Sequence, residues 1–216
     1  MKISIPKQEY EIAPEDLNAV EKFLSSIIPG FIKEFSGALQ DSVKGWRARN
    51  MVNILVKTKE KVEVSGLTLQ ELSGKFMVQA LEKGSVEDDK TLQDKWATLL
   101  ANTSTGKNRA SIKYINMLSE LDVNEVRLLD ILYTELLQNE KDNEYVFSTE
   151  KAAEAFGVEV PGIKLMVDNF YRMNICQSPA MTSISAGGGA HPILKTNNLF
   201  TFTDLGKDFL AAVRND

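Results

Sequence analysis

Acidic side chains cluster in one short stretch of the sequence, and clustered carboxylates are candidates for a metal-dependent active site. The cluster contains Glu87, Asp88, Asp89 and Asp94, and the spacing of Asp88 and Lys90 occurs at the end of nuclease motifs. The acid that such a motif needs on a preceding strand is missing. Acidic residues also complement the dipole at the start of a helix. We therefore interpret the cluster as a helix N-terminus and predict no metal site and no catalytic residue.

Histidine and cysteine each occur once, which excludes several kinds of site. One thiol rules out an internal disulfide, and one thiol with one imidazole falls short of the roughly four ligands of a structural zinc. His191 precedes a proline in a segment of small residues, so we expect a solvated loop position. Cys176 is interpreted as a small buried hydrophobic residue. Because the sequence also lacks a phosphate-binding loop and a serine-nucleophile elbow, we predict a protein that is not an enzyme and has no cofactor.

Basic residues concentrate in one amphipathic segment, which is the candidate surface for a nucleic acid or another partner. Residues 42–66 contain six basic and two acidic residues, although the whole chain has a net charge of -5. Apolar residues recur on one side of this segment at helical spacing. The basic residues on the other side are Lys44, Arg47, Arg49, Lys57, Lys59 and Lys61. The alternative is that they solvate the outer face of a bundle helix or neutralise the acidic half of the chain.

The second half of the chain is acidic, and its elements follow the order of a winged helix. Residues 120–161 contain eleven acidic and three basic residues. The pattern then predicts two short helices joined by a tight turn, and two strands separated by a glycine-rich loop at 178–198. The helix that would enter DNA spans 162–174. The candidates for DNA contact are Lys164, Arg172 and Lys195. These are too few for useful phosphate binding, so nucleic acid is not the favoured partner.

Apolar spacing predicts helices throughout the first half of the chain. The clearest pattern is that of Leu92, Trp96, Leu99 and Leu100, which fill one face as a core helix requires. Trp96 is therefore interpreted as a core residue, and Asn102 as a helix end. The expected helices in this half cover residues 14–28, 31–43, 42–64, 67–84, 89–102 and 110–118.

Capping signals set helix boundaries in the second half. Asp122 and Glu125 form a capping-box pair for the helix that ends at residue 138. Ser148 or Thr149 caps the next, short helix. Gly157 suits the left-handed conformation that ends it.

The change in the sign of the charge places a domain boundary near residue 121. The sequence predicts a mainly α protein, in which an N-terminal helical bundle precedes a C-terminal winged-helix-like α+β unit. We expect a helical segment at 1–41, a helical core domain at 42–121 and the winged-helix-like domain at 122–216. The N-terminus lacks the apolar run of a signal peptide, and no stretch approaches the roughly 20 apolar residues of a membrane span. We therefore expect a cytoplasmic protein.

Several segments together resemble the abortive-infection alpha family of bacteria. They are Trp46–Leu55, Leu92–Asn102, Tyr114–Asp122 and the closing Phe200–Phe209. The resemblance covers roughly residues 42–212, and its most specific part is the pattern L-x-x-x-W-A-x-L-L-A-N. Members of the family often have His-Pro after this helix, where this chain has Arg109-Ala-Ser111. No role of that histidine can therefore be transferred.

The resemblance implies a part in bacterial defence against phage, in which infected cells stop growing or die before progeny are released. It implies no catalytic residue. We expect a non-enzymatic protein that acts by binding an unknown protein partner or a ligand, and self-association into a homo-oligomer stays open. One alternative is a winged-helix transcriptional regulator that binds DNA. Another is a membrane-perturbing effector that uses residues 14–39.

Overall fold

A computed structural model describes residues 14–29, 45–139, 145–179 and 198–214. Within these ranges the chain is mainly helical, with a small antiparallel sheet of three strands, and none of the helices is long and apolar enough to cross a membrane. The chain divides into two compact units. The first unit comprises the described residues up to Leu121 together with 212–214, and the second comprises the described residues from Asp122 to Ala211. The helix expected at 31–43 lies outside the described residues.

The first unit is built from helices alone in its described part. The helices are α1 (Pro14–Ile27), α2 (Gly45–Ser65), α3 (Gly74–Gly84), α4 (Lys90–Ser104) and α5 (Ile112–Glu120). Helix α2 packs mainly against α4, α1 packs against α2, and α3 packs against α5. The face of α4 that the spacing of Leu92, Trp96, Leu99 and Leu100 predicts is buried, which confirms it as part of the core.

The start of α3 differs from the sequence prediction. The helix predicted from Leu67 begins instead at Gly74, so the prediction is wrong for the residues between them. Ser73 is the N-cap, and its hydroxyl accepts a hydrogen bond from a first-turn N–H at 3.3 Å. Before it, the N–H of Gln70 donates to the carbonyl of Ser104 at 2.7 Å. This bond to another helix holds the segment in a non-helical conformation.

Asn102 ties C-terminal residues of the first unit to the end of α4. Its side-chain Nδ2 donates hydrogen bonds of 3.1 Å to the carbonyl oxygens of Ala212 and Arg214. The side-chain amide of Asn102 therefore donates to two carbonyl groups at and just beyond the end of the last described helix, where backbone acceptors lack partners within the helix. Asn102 has a structural role that its position at a helix end did not reveal.

We expect Asn102→Asp to release these C-terminal residues. A carboxylate oxygen would replace the donor and face two carbonyl oxygens, which should lower the free energy of unfolding by about 1–3 kcal/mol. Amide exchange at Ala212 should become faster. The matched control is Asn53→Asp, on the exposed side of α2, which should change neither quantity. An unchanged rate of amide exchange at Ala212 in Asn102→Asp would show that Asn102 does not hold these residues in place.

The second unit combines helices with the sheet. The elements are α6 (Val123–Gln138), β1 (Phe147–Ser148), α7 (Thr149–Phe156), α8 (Val160–Arg172), β2 (Cys176–Gln177), β3 (Leu199–Phe202) and α9 (Asp204–Ala212). The strands are arranged in the order β1-β3-β2, and both pairs are antiparallel, with Phe147 opposite Phe200 and Cys176 opposite Phe202. The ring of Phe147 stacks on Phe200, with the ring centroids 5.4 Å apart, and meets Phe202 edge to face.

The capping signals of the second half are confirmed. The carboxylate of Asp122 accepts the N–H of Glu125 at 2.8 Å, and the carboxylate of Glu125 accepts the N–H of Asp122 at 2.9 Å, which completes the capping box. Ser148, rather than Thr149, caps α7. Gly157 ends that helix with a φ of 76°, in the left-handed region. Local chemistry therefore sets these boundaries, as the sequence predicts.

Candidate functional site

The acidic cluster before α4 serves the fold. Asp89 is the N-cap, and its carboxylate accepts two backbone N–H groups at 2.7 and 3.1 Å, which confirms the interpretation as a helix start. Asp88 accepts a hydrogen bond from Nδ2 of Asn50 at 2.9 Å, and Glu87 accepts the N–H of Asp89 at 3.0 Å. Among the described residues, no group of three or more acidic, histidine or cysteine side chains could hold a metal ion.

A buried amide network continues from this cluster into the first unit. Asn50 is almost fully buried, and it donates to the carbonyl of Ser85 at 3.2 Å and accepts from Nε2 of Gln93 at 3.2 Å. Gln93 also donates to the carbonyl of Glu87 at 2.9 Å. The network joins α2, the α3–α4 loop and α4. Because buried polar groups are costly unless they are satisfied, these residues specify how the three elements pack.

Glu87 makes the first unit sensitive to pH. Burial, with a smaller contribution from the repulsion of Asp89 and Asp88, raises the pKa of Glu87 above its ordinary value of 4.5. A carboxyl group with a raised pKa favours folding while it is protonated, and that contribution is lost as the pH rises through the folded-state pKa. The ionised form therefore destabilises the fold at neutral pH.

We expect Glu87→Gln to raise the melting temperature at pH 7, because glutamine keeps the acceptor for the Asp89 N–H and removes the charge. The difference from the wild type should shrink as the pH falls through the raised pKa of Glu87, and it should be lost below about 4.5, where the carboxyl group is protonated in both states. Thermal melts across this pH range provide the measurement. The control Glu71→Gln changes an exposed carboxylate of the same unit and should have little effect. A pH-independent difference would argue against this role for Glu87.

The two arginines of the basic segment are half-buried on α2. The Nη2 of Arg47 donates to Oγ of Ser85 at 2.8 Å and to the carbonyl of Glu82 at 3.3 Å. Arg47 therefore joins α2 to the end of α3. Arg49 lies on the same helix, whereas Lys44 lies outside the described residues.

The three lysines further along α2 also bond within the chain. The ammonium group of Lys57 donates to the carbonyl of the first residue of α4 at 3.3 Å. Lys59 pairs with Glu63 one turn away at 2.7 Å, and Lys61 pairs with Asp94 on α4 at 3.0 Å. Exposed ion pairs of this kind contribute little to stability. They nevertheless place carboxylate or carbonyl oxygens beside cations that a phosphate would have to contact.

Helix α8, which the sequence predicts as the DNA-reading helix, has one continuous exposed stripe. Pro161, Leu165, Asp168 and Arg172 are all exposed, and their spacing of three or four residues places them on one side of the helix. Leu165 is 72% exposed, more than any other large hydrophobic residue in the described part of this unit. We call this stripe the outer face of α8. It presents an apolar side chain and a carboxylate where a DNA-binding helix needs donors.

The exposed side chain of Arg172 also forms hydrogen bonds within α8. Its Nη2 donates to Oδ1 of Asn169 at 2.7 Å, and Nδ2 of Asn169 donates to Glu125 at 2.7 Å. Glu125 is the buried acid of the α6 capping box. This chain of bonds holds α8 against the start of α6. Sequence reasoning missed it because no local pattern connects residues so far apart in the chain.

Lys164 lies half-buried beside a carboxylate of α7. A hydrogen bond from the Ser148 hydroxyl, at 2.7 Å, is the main cause that lowers the pKa of Glu150, and the ammonium group of Lys164 adds a smaller attraction. The carboxylate of Glu150 therefore partly offsets the positive charge of Lys164. Lys195 and His191 lie outside the described residues. Of the three candidates for DNA contact, the structure therefore places only Lys164 and Arg172, which lie eight residues apart on α8.

The described residues also form concave regions. A groove of about 600 Å³ in the first unit lies between the C-terminal ends of α2 and α4, and Val64, Leu67 and Lys107 line it. A smaller cavity of about 170 Å³ in the second unit is lined by Glu135 and Tyr145, whose hydroxyl donates to that carboxylate. Neither region could be identified from the sequence, because each is lined by residues from separate elements.

Comparison with known proteins identifies the family. The model of the family Abortive infection alpha matches residues 48–213, about three quarters of the chain, and this range includes the motif at 92–102. No curated protein and no solved structure matches the chain. The match agrees with the resemblance found in the sequence and extends over elements of both units. The chain belongs to the abortive infection alpha family.

Proposed function

We propose that the protein takes part in abortive infection by binding a partner without catalysing a reaction, and that its second unit is a winged helix. The name of the family supports the link to abortive infection. The element order α6, β1, α7, α8, β2, β3 and the strand order β1-β3-β2 support the winged helix. In such a fold α8 is the helix that contacts the partner.

The proposal of a binding function rests on one observation: acidic side chains form hydrogen bonds within the fold. Asp89 caps α4, Asp88 accepts the amide of Asn50, and Glu125 joins its own cap to Asn169. A general acid or base must reach a proton on the substrate. Carboxylates that accept backbone or amide N–H groups are committed to structure, and this favours a protein that acts through its surface.

The second candidate function is that of a transcriptional regulator, and the winged-helix order of elements is the observation that favours it. The charges oppose it. Residues 122–211 contain thirteen acidic and seven basic residues, Arg172 donates to an oxygen atom of Asn169, and Lys164 is within electrostatic range of Glu150. Because phosphate contacts supply most of the affinity for DNA, we place this function second.

Phage infection of bacteria that produce the protein tests the first proposal. We expect fewer plaques for at least one phage of a broad panel, with infected cells dying before progeny are released. The double variant Glu87→Gln and Asp88→Asn should protect as well as the wild type, because both amides keep an acceptor oxygen. Loss of protection in this variant without a fall in its melting temperature would assign a catalytic role to the carboxylates and contradict the proposal.

Binding of the full chain to duplex DNA at physiological salt separates the two candidates. We expect no sequence-selective binding. Any weak binding should depend on the cations of α2, and each cation changed to glutamine should flatten the salt dependence by about one unit of slope. A salt-resistant, selective complex abolished by Lys164→Gln with Arg172→Gln would make the regulator the better assignment.

A further inference from the structure

We infer that the outer face of α8 is a docking surface for a partner protein segment that presents an apolar side chain flanked by lysine or arginine. The inference rests on the proposed binding function and specifies where the partner docks and what chemistry it has. The surface consists of Pro161, Leu165, Asp168 and Arg172.

Leu165 is suited to be the apolar anchor of this surface. Its side chain is 72% exposed, whereas Ile163, Val167 and Phe170 on the opposite side of α8 are buried in the unit. Its neighbours one turn earlier are Pro161 and a glycine, Gly162, which carry little or no side chain to shield it. An apolar partner residue could therefore cover Leu165 without displacing anything, and desolvated anchors of this kind supply most of the energy of an interface.

Two carboxylates and one cation lie around Leu165, on the outer face of α8 and at its start. Asp168 follows Leu165 on the same stripe, and Glu159 is the exposed residue at the N-cap of α8, where its carboxylate offsets the positive end of the helix dipole. Arg172, the cation of the stripe, donates two hydrogen bonds to Oδ1 of Asn169 at 3.1 and 2.7 Å, and it keeps its positive charge because Asn169 is neutral. The net charge of these three residues is therefore -1, which favours a partner of positive charge.

Lys164, the cation on the neighbouring part of the helix, has a carboxylate within electrostatic range. Lys164 lies close enough to Glu150 to lower the pKa of that carboxyl group, although the Ser148 hydroxyl lowers it more. The second unit as a whole contains thirteen acidic and seven basic residues in 122–211. Complementary charge guides association and rejects partners of like charge. Nucleic acids and anionic lipids are like-charged partners here, so a basic protein segment is the occupant that fits.

A synthetic amphipathic helix tests the surface without knowledge of the natural partner. The probe is a fluorescent peptide of two Leu-Lys-Lys-Leu-Leu-Lys-Leu heptads, and its matched counterpart has glutamate for lysine. Anisotropy with the full chain should show binding of the lysine peptide alone. Leu165→Ser should weaken that binding about tenfold, as expected for loss of one buried leucine. Asp168→Lys should weaken it and flatten its salt dependence.

The control for Leu165→Ser is Val64→Ser, which removes an apolar side chain that is 90% exposed on the first unit. It should bind the lysine peptide as the wild type does. Equal affinities for Leu165→Ser and Val64→Ser would overturn the inference, as would no binding by the wild type. Binding of duplex DNA or of phosphatidylglycerol vesicles that is lost in Leu165→Ser would also overturn it, because the occupant would then be an anion.

Phage protection by the same variants separates this inference from the proposed function. We expect Leu165→Ser to lose protection and Val64→Ser to keep it. Full protection by Leu165→Ser would overturn the docking surface while the binding function stands. If the wild type protects against no phage of the panel, the proposed function fails whatever the peptide measurements show.

Discussion

Trp96→Ala should lower the free energy of unfolding of the first unit by about 3–5 kcal/mol. The side chain is only 1% exposed, and its ring lies against the backbone of Gly84, where an added Cβ would be 3.4 Å from Cδ2 of the indole and 3.1 Å from Cδ1 of Ile54. Truncation would remove the largest side chain of α4 and leave a cavity that the surrounding helices cannot fill without moving. Chemical denaturation followed by far-ultraviolet circular dichroism measures the loss.

The control must come from another position, because the neighbouring Lys95 is itself buried. Lys113→Ala, at an exposed site on α5, should change the free energy of unfolding by less than about 0.5 kcal/mol. Trp96→Phe should fall between the two, and it keeps the comparison measurable if Trp96→Ala does not fold. Equal effects of Trp96→Ala and Lys113→Ala would show that the indole is not part of the core.

Gly206→Ala should destabilise the second unit by about 3 kcal/mol or more. A Cβ on Gly206 would overlap the carbonyl oxygen of Ile175 and lie 2.9 Å from its carbonyl carbon. That carbonyl cannot easily move, because it accepts the N–H of Thr203 at 2.9 Å, while the hydroxyl of Thr203 accepts the N–H of Gly206 at 2.8 Å. An alanine would therefore force the start of α9 away from the strand that follows α8.

The matched substitution is Gly162→Ala in α8, where an added Cβ meets nothing within 4 Å. Alanine forms helices more readily than glycine, so this variant should be stabilised by roughly 0.5 kcal/mol. Thermal and denaturant unfolding of both variants provides the comparison. A stable Gly206→Ala protein would mean that α9 and Ile175 are not in close contact, and the packing of this corner would have to be reconsidered.

Local sequence signals were sufficient to predict the features that depend on residues close together in the chain. Asp122 with Glu125, and Gly157, set helix boundaries through bonds within one turn, and the spacing of Trp96 and Leu100 placed one face of α4 in the core. The same segment carried the family resemblance. The start of α3 was predicted too early although Ser73 caps it, because the apolar spacing does not show that a carbonyl on α4 bonds the segment before it.

The sequence by itself determined the helical class, most helix ends, the buried face of α4 and the family, because these depend on spacing and capping within a few residues. The tertiary structure alone decided which polar groups are engaged. Arg47 meets Ser85 across 38 residues, and Asn169 meets Glu125 across 44. Such pairs form only when separate helices pack together, since a side chain's partner depends on distance in space and not on distance along the chain. For the same reason, only the fold could show that Leu165 faces solvent beside Asp168, and that Arg47, Lys57, Lys59 and Lys61 on α2 are bonded to oxygen atoms of their own protein.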